Sequence, residues 1–89
     1  MMVSRQGNWL AAKVGDELVM MSASSGNYVG LSEVGARVWE LIETPQPIDV
    51  VCARLQTEFE VAPEVCRAEV EQFLSDLAGQ GAIALSPDP

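Results

Sequence analysis

Asn27 to Ile42 reads NYVGLSEVGARVWELI, a short strand (Asn27 to Leu31) that runs into a helix through a single polar residue. Ser32 is placed to be the N-cap, where its hydroxyl accepts one of the helix's orphan N–H groups. Glu33 then falls in the first turn, where the helix dipole favours a negative charge. Val34, Val38, Leu41 and Ile42 recur at helical spacing and form one apolar stripe. Gly35 costs the helix ~1 kcal/mol against alanine. It therefore marks a place where another backbone comes close. A tight core contact explains that approach, and an arriving ligand is the other explanation.

Upstream, WLAAKV (Trp9 to Val14) and ELVMM (Glu17 to Met21) are two further strands. Gly15-Asp16 between them is a two-residue loop of the kind that suits a primed hairpin turn. The second strand is apolar on both faces, with Leu18 and Met20 on one and Val19 and Met21 on the other, which makes it central. A serine-rich loop, Ser22 to Gly26, returns the chain to Asn27. The economical product is a three-stranded antiparallel meander whose third strand pairs with the second on one side and is open on the other.

Downstream, Thr44-Pro45-Gln46-Pro47 stops the first helix, because proline cannot continue it. A second helix is expected from Asp49, as N-cap, to Phe59, burying Val51 or Cys52, Leu55 and Phe59. After the corner Glu60-Val61-Ala62, Pro63 suits the first position of a third helix. That helix runs to Ala78, with Cys66, Val70, Phe73, Leu74 and Leu77 on one face and Arg67–Glu71 as an i, i+4 pair. Gly79 and Gly81 end it, Ile83 and Leu85 tuck back onto the core, and Ser86 to Pro89 fray. The class is α+β, winged-helix-like: a three-stranded antiparallel sheet followed by three helices. One domain, 1–89 with a core over about 9–85, accounts for the 89 residues.

Composition excludes more than it selects. The 48% hydrophobic content fits a folded globule, no apolar run is long enough to span a bilayer, and MMVSRQGNWL has no signal-peptide core. A soluble, cytoplasmic protein is the default expectation. The formal charge of −8 leaves only Arg5, Lys13, Arg37, Arg54 and Arg67 as cations, too few and too scattered to neutralise a phosphate backbone. Acidity serves solubility or attracts a basic partner, and the sequence leaves both open. Histidine is absent, which removes the commonest general base and metal ligand. Cys52 and Cys66 lack the close spacing of a zinc site. They read as buried free thiols, with a helix-to-helix disulfide as the alternative.

No phosphate loop, nucleophile–base pair or ligand cluster is present, so neither an enzyme nor a cofactor or metal is expected. Glu69, Glu71 and Asp76 read as solvated-face residues of the third helix. The last two helices invite a helix-turn-helix reading. The third offers only Arg67 and Gln72 among Glu64, Glu69, Glu71 and Asp76 to read bases. A small DNA-binding regulator is accordingly the runner-up.

Tyr28-Val29-Gly30-Leu31-Ser32-Glu33-Val34-Gly35-Ala36-Arg37-Val38-Trp39-Glu40-Leu41-Ile42 resembles the PqqD-like family. The likeness continues through Cys52-Ala53-Arg54-Leu55, Phe59-Glu60-Val61, Val70, Phe73-Leu74, Leu77 and Gly81 and covers about residues 17 to 85. The resemblance implies a three-stranded sheet followed by three helices. It also implies a peptide-recognition role in the biosynthesis of ribosomally made, modified peptides. In that family the leader segment of a precursor peptide joins as an added strand, in the cleft between the third strand and the third helix. It is then presented to a separate modifying enzyme or protease. Carried onto this chain, the peptide-binding residues are Asn27, Tyr28, Val29, Gly30 and Leu31 along the strand, with Cys66, Arg67, Val70 and Phe73 on the helix. The alternative for Cys66, Val70 and Phe73 is the core alone. The cysteines and the short free-standing chain are most similar to the lasso-peptide forms, whose partner is a leader-cleaving cysteine protease. The nearest relatives to confuse with them are peptide chaperones of quinone-cofactor synthesis. Two departures stand out: Ser22 to Gly26 lacks an expected Asp, and Ala82 replaces a larger aliphatic.

Overall fold

The computed structural model describes residues 1–87. Within them the chain forms β1 (Met2–Arg5), β2 (Trp9–Val14), β3 (Glu17–Ser22), β4 (Tyr28–Leu31), α1 (Glu33–Leu41), β5 (Gln46–Pro47), α2 (Ile48–Glu58), α3 (Pro63–Gly79) and β6 (Ile83–Ser86). The expected meander is present as the antiparallel sheet β2-β3-β4. The three helices follow it in the expected order. Gly15 turns the β2–β3 hairpin at φ +64°, the left-handed conformation that a primed turn needs and glycine adopts without a steric cost.

A second antiparallel sheet, β5-β1-β6, corrects the expectation of one sheet and of a core beginning near residue 9. Val3, in β1, is fully buried, and β1 pairs with β6 from Met2↔Ser86 to Arg5↔Ile83. Pro45 and Pro47 explain β5: residues before proline are pushed out of the helical region into extended backbone. Gln46–Pro47 thus pairs with β1 as a two-residue edge strand, a place where proline is tolerated. Arg5 anchors the N-terminal strand further. Its guanidinium lies 4.3 Å from the centroid of the Trp39 ring, and its Nε donates to the Trp39 carbonyl at 3.2 Å. That carbonyl belongs to the last turn of α1, where a cation complements the helix dipole.

The remaining differences are local. Ser86 is paired in β6 rather than frayed, while Asp88 and Pro89 lie outside the described residues. Ile83 is buried as expected, but Leu85 is 41% exposed. α2 starts at Ile48, with extended Pro47 as N-cap and no side-chain capping bond. Asp49 instead sits in the first turn, where its charge still favours the helix end. In the Ser22–Gly26 loop the missing Asp is replaced by Ser22. Its Oγ accepts the Ser25 N–H at 3.2 Å, the same local turn bond that an Asx side chain makes. Ala82 is fully buried.

α1 lies against β3 and β4 on one side and α2 on the other. Met20, Leu31, Val38, Ile42 and Leu74 are among the buried residues that fill the space between. Ser32 caps α1 as expected, accepting the Gly35 N–H at 3.2 Å. Trp39, absent from the expected stripe, is buried as well. No helix is long and apolar enough to cross a membrane among the described residues.

Candidate functional site

β4 is an edge strand, and its pairing phase settles which backbone groups it leaves free. The Ser22 N–H donates to the Asn27 carbonyl at 2.9 Å. The register then runs Met21↔Tyr28, Met20↔Val29, Val19↔Gly30 and Leu18↔Leu31. Hydrogen-bonded and non-bonded pairs alternate along an antiparallel ladder. Val29 and Leu31 therefore exchange bonds with β3, whereas Tyr28 and Gly30 aim their N–H and C=O groups away from the sheet. The β2 side has the complementary phase, since the Ala23 N–H donates to the Asn8 carbonyl at 2.9 Å. Side chains follow the same alternation. Val29 and Leu31 turn into the core, and Tyr28 stands 70% exposed on the outer face.

Where β4 ends, a cavity of about 150 Å³ opens between the start of α1, the α2–α3 corner and α3. Val34, Val38, Leu55, Phe59, Val61, Val70 and Phe73 give it apolar walls, with Ser32, Cys66 and Glu69 as the other side-chain functions. Cavities of ~150 Å³ with aliphatic and aromatic walls accept a benzene ring. Gly35 explains how the wall is built. A Cβ placed there would lie 3.2 Å from the Phe73 ring, so the glycine makes room for an aromatic side chain. The expectation of a neighbouring backbone was wrong in that detail. The close approach itself was legible, and it is made by a wall residue of the cavity.

Of the nine residues expected from sequence, Cys66, Val70 and Phe73 are brought together on the cavity wall. Cys66 and Val70 are also buried core residues. Tyr28 and Gly30 supply the open edge. Val29 and Leu31 hold the strand in place, and Asn27 precedes β4 and closes its first pair. Arg67 does not join them. Its guanidinium is engaged by Asp49 on α2 and by Glu71, the latter at 2.7 Å. It lines a separate depression with Met1, Ile48 and Leu85. An arginine one position from Cys66 turns about 100° around a helix of 3.6 residues per turn, which carries it off the cavity face.

Ser32, Val34, Gly35, Val38, Leu55, Phe59, Val61 and Glu69 complete the lining and were not singled out for it. Gly35 alone carried a sequence signal. Cys52 and Cys66 are both free and buried. Burial, then the neighbouring Cys66, push the Cys52 thiol up, so it stays protonated and unreactive at neutral pH. What the site presents is an unpaired strand edge beside an apolar hole.

Solved structures share this architecture. TbiB1 in complex with the TbiA(beta) leader peptide matches with a TM-score of 0.82 and 25% identity, over 96% of this chain and 99% of that one. Lasso peptide synthetase B1 complexed with the leader peptide matches with a TM-score of 0.81 over 93% and 98% of the two chains; at 17% identity it speaks to the fold alone. No curated protein matches the sequence. The family model for coenzyme PQQ synthesis protein D matches residues 17–83, a span from the start of β3 to the start of β6, and the chain belongs to the PqqD family.

Proposed function

We propose that this protein binds the leader segment of a ribosomally made precursor peptide as a fourth strand on β4 and presents it to a processing enzyme. The single observation that carries the proposal is the edge of β4, where Tyr28 and Gly30 direct their backbone groups outward beside an apolar cavity. An open edge pairs with any extended chain that reaches it. Strand addition supplies affinity through main-chain bonds, and pockets for alternate side chains supply specificity. The cavity at the end of β4 is sized for one large apolar side chain of such a guest. TbiB1, a structurally similar protein, was solved in complex with a leader peptide, which supports the same class of ligand here. The reading is of a binding module rather than a catalyst.

Presentation needs a second surface, and the outer face of β2-β3-β4 offers one. Leu10, Val14 and Tyr28 are exposed there, with Val19 and Met21 half-buried beside them. A contiguous exposed apolar patch marks an interaction site. A guest strand on β4 would extend this face by its own outward side chains, so a partner resting on it would meet both sheet and guest. A leader-cleaving protease, as in lasso-peptide assembly, is the partner we favour.

Fluorescence anisotropy of a labelled leader with the Tyr28→Pro variant tests the proposal. Proline at an outward-facing edge position removes one donor without breaking the pairing to β3. Leader binding is expected to vanish while the circular-dichroism spectrum stays that of the wild type. A folded Tyr28→Pro variant with unchanged affinity would place the peptide elsewhere.

A further inference from the structure

Among the described residues Glu69 is the one carboxylate on the cavity wall, and no cation or donor engages it. The nearby acids differ. Glu58 and Glu40 are held by Arg37, and Asp49 and Glu71 by Arg67. Both arginines are thus occupied, and neither lines the cavity. The rest of the lining is apolar apart from Ser32, whose hydroxyl already accepts the Gly35 N–H, and the Cys66 thiol.

We infer that Glu69 selects guests carrying Lys or Arg beside the large apolar side chain that enters the cavity. This rests on the strand-addition reading above and adds the charge of the ligand to it. Glu69 is exposed at the rim of the apolar lining, so it attracts a cation with the modest strength of a solvent-facing carboxylate. The positive end of α1 acts in the opposite sense, favouring an anion at the same mouth. It is already compensated, however, because Ser32 caps it and Glu33 occupies its first turn. An acidic guest would meet Glu69 at the cavity wall. The chain's net charge of −8 repels it further, and a basic guest gains on both counts.

The test is a selection of random linear peptides on the immobilised full chain, in parallel with Glu69→Gln, Glu69→Lys and Tyr28→Pro. Wild type is expected to enrich peptides with a large apolar residue neighboured by Lys or Arg. Glu69→Gln should keep the apolar preference and lose the basic one, and Glu69→Lys should replace it with Asp or Glu. For one selected peptide, changing its basic residue to Gln should weaken binding to wild type about threefold to fivefold at low salt, as exposed ion pairs do. The same change should be neutral on Glu69→Gln. An unchanged basic preference in the Glu69 variants overturns the inference. Strand addition still stands in that case, provided that Tyr28→Pro loses all the selected peptides. Loss of strand addition is a separate result, in which Tyr28→Pro selects the same peptides as wild type, and the inference falls with it.

Discussion

The sheet β2-β3-β4 has two edges, and they are not equivalent. Trp9, Ala11 and Lys13 turn their backbone groups outward along β2, in the phase opposite to the residues that bond β3. That edge is six residues long, mostly exposed, and carries Lys13, the kind of residue that discourages strand pairing. The β4 edge is four residues long, carries no charge, and is fixed from behind by the half-buried Val29 and buried Leu31. Through Ser32 it continues into α1, which packs on the core. It also ends at a cavity, whereas β2 ends in an exposed turn. Two strands with the same unpaired backbone groups therefore present different surfaces to a guest. The lesson is that an open edge becomes a specific site when a side-chain pocket lies in line with it.

The strongest way to break this contrast is at Val29. Val29→Pro removes an N–H that pairs with β3 opposite fully buried Met20. A buried carbonyl left without its donor costs ~1–3 kcal/mol. Thermal denaturation should show a clear drop in stability or outright unfolding. Ala11→Pro, on the outward side of β2, should melt close to wild type and still bind leader.

A second substitution separates the two faces of the sheet. Val14→Asp puts a charge on the outer apolar face, on a strand separated from β4 by β3 and outside the cavity lining. Leader affinity by anisotropy should stay at the wild-type value, while any stimulation of leader cleavage by the partner protease should fall by an order of magnitude or so, as for loss of a central contact worth ~1–2 kcal/mol. Equal loss of both would merge two surfaces that the structure keeps apart.

Gly35→Ala sharpens the comparison from the cavity side. Alanine favours the helix by ~1 kcal/mol, but its Cβ would press on the Phe73 ring at 3.2 Å. The ring lines the cavity, so displacing it reshapes the wall. Stability should change little, while leader affinity falls, and the two measurements together distinguish a filled cavity from an unfolded helix.

The smallest expected effect lies outside both edges. Arg37 holds the Glu58 carboxyl below its usual range, chiefly through their hydrogen bond. A carboxylate whose folded-state pKa is lowered stabilises the fold above its unfolded pKa, and that stabilisation disappears as pH falls through the folded value. Arg37→Ala should be slightly less stable than wild type at neutral pH, with the difference vanishing in acid. The pair is exposed, so the effect is modest.

Much of this was legible in the sequence because local signals agreed. Gly15-Asp16 announced the hairpin, Ser32-Glu33 the start of α1, and Pro63 the start of α3. The second sheet was not legible. β1 has Val3 as its only fully buried residue, β5 is hidden inside a proline-rich stop, and their partner β6 lies at the other end of the chain, so no local pattern couples them. The cavity was half legible. Cys66, Val70 and Phe73 shared a helical face, but Phe59 and Val61 came from a corner whose direction periodicity does not specify. Arg67 lies off the cavity wall because adjacency in sequence is not adjacency on a helix. Its pairing with Asp49 is a contact between two helices, which the sequence does not display.

Amide hydrogen exchange, read residue by residue with and without a bound leader peptide, tests the central claim most directly. Tyr28 and Gly30 N–H groups should exchange freely in the unbound protein and become protected on binding. Those of Trp9, Ala11 and Lys13 should exchange at the same rate in both states. Protection appearing along β2, or at neither edge, would contradict strand addition at β4.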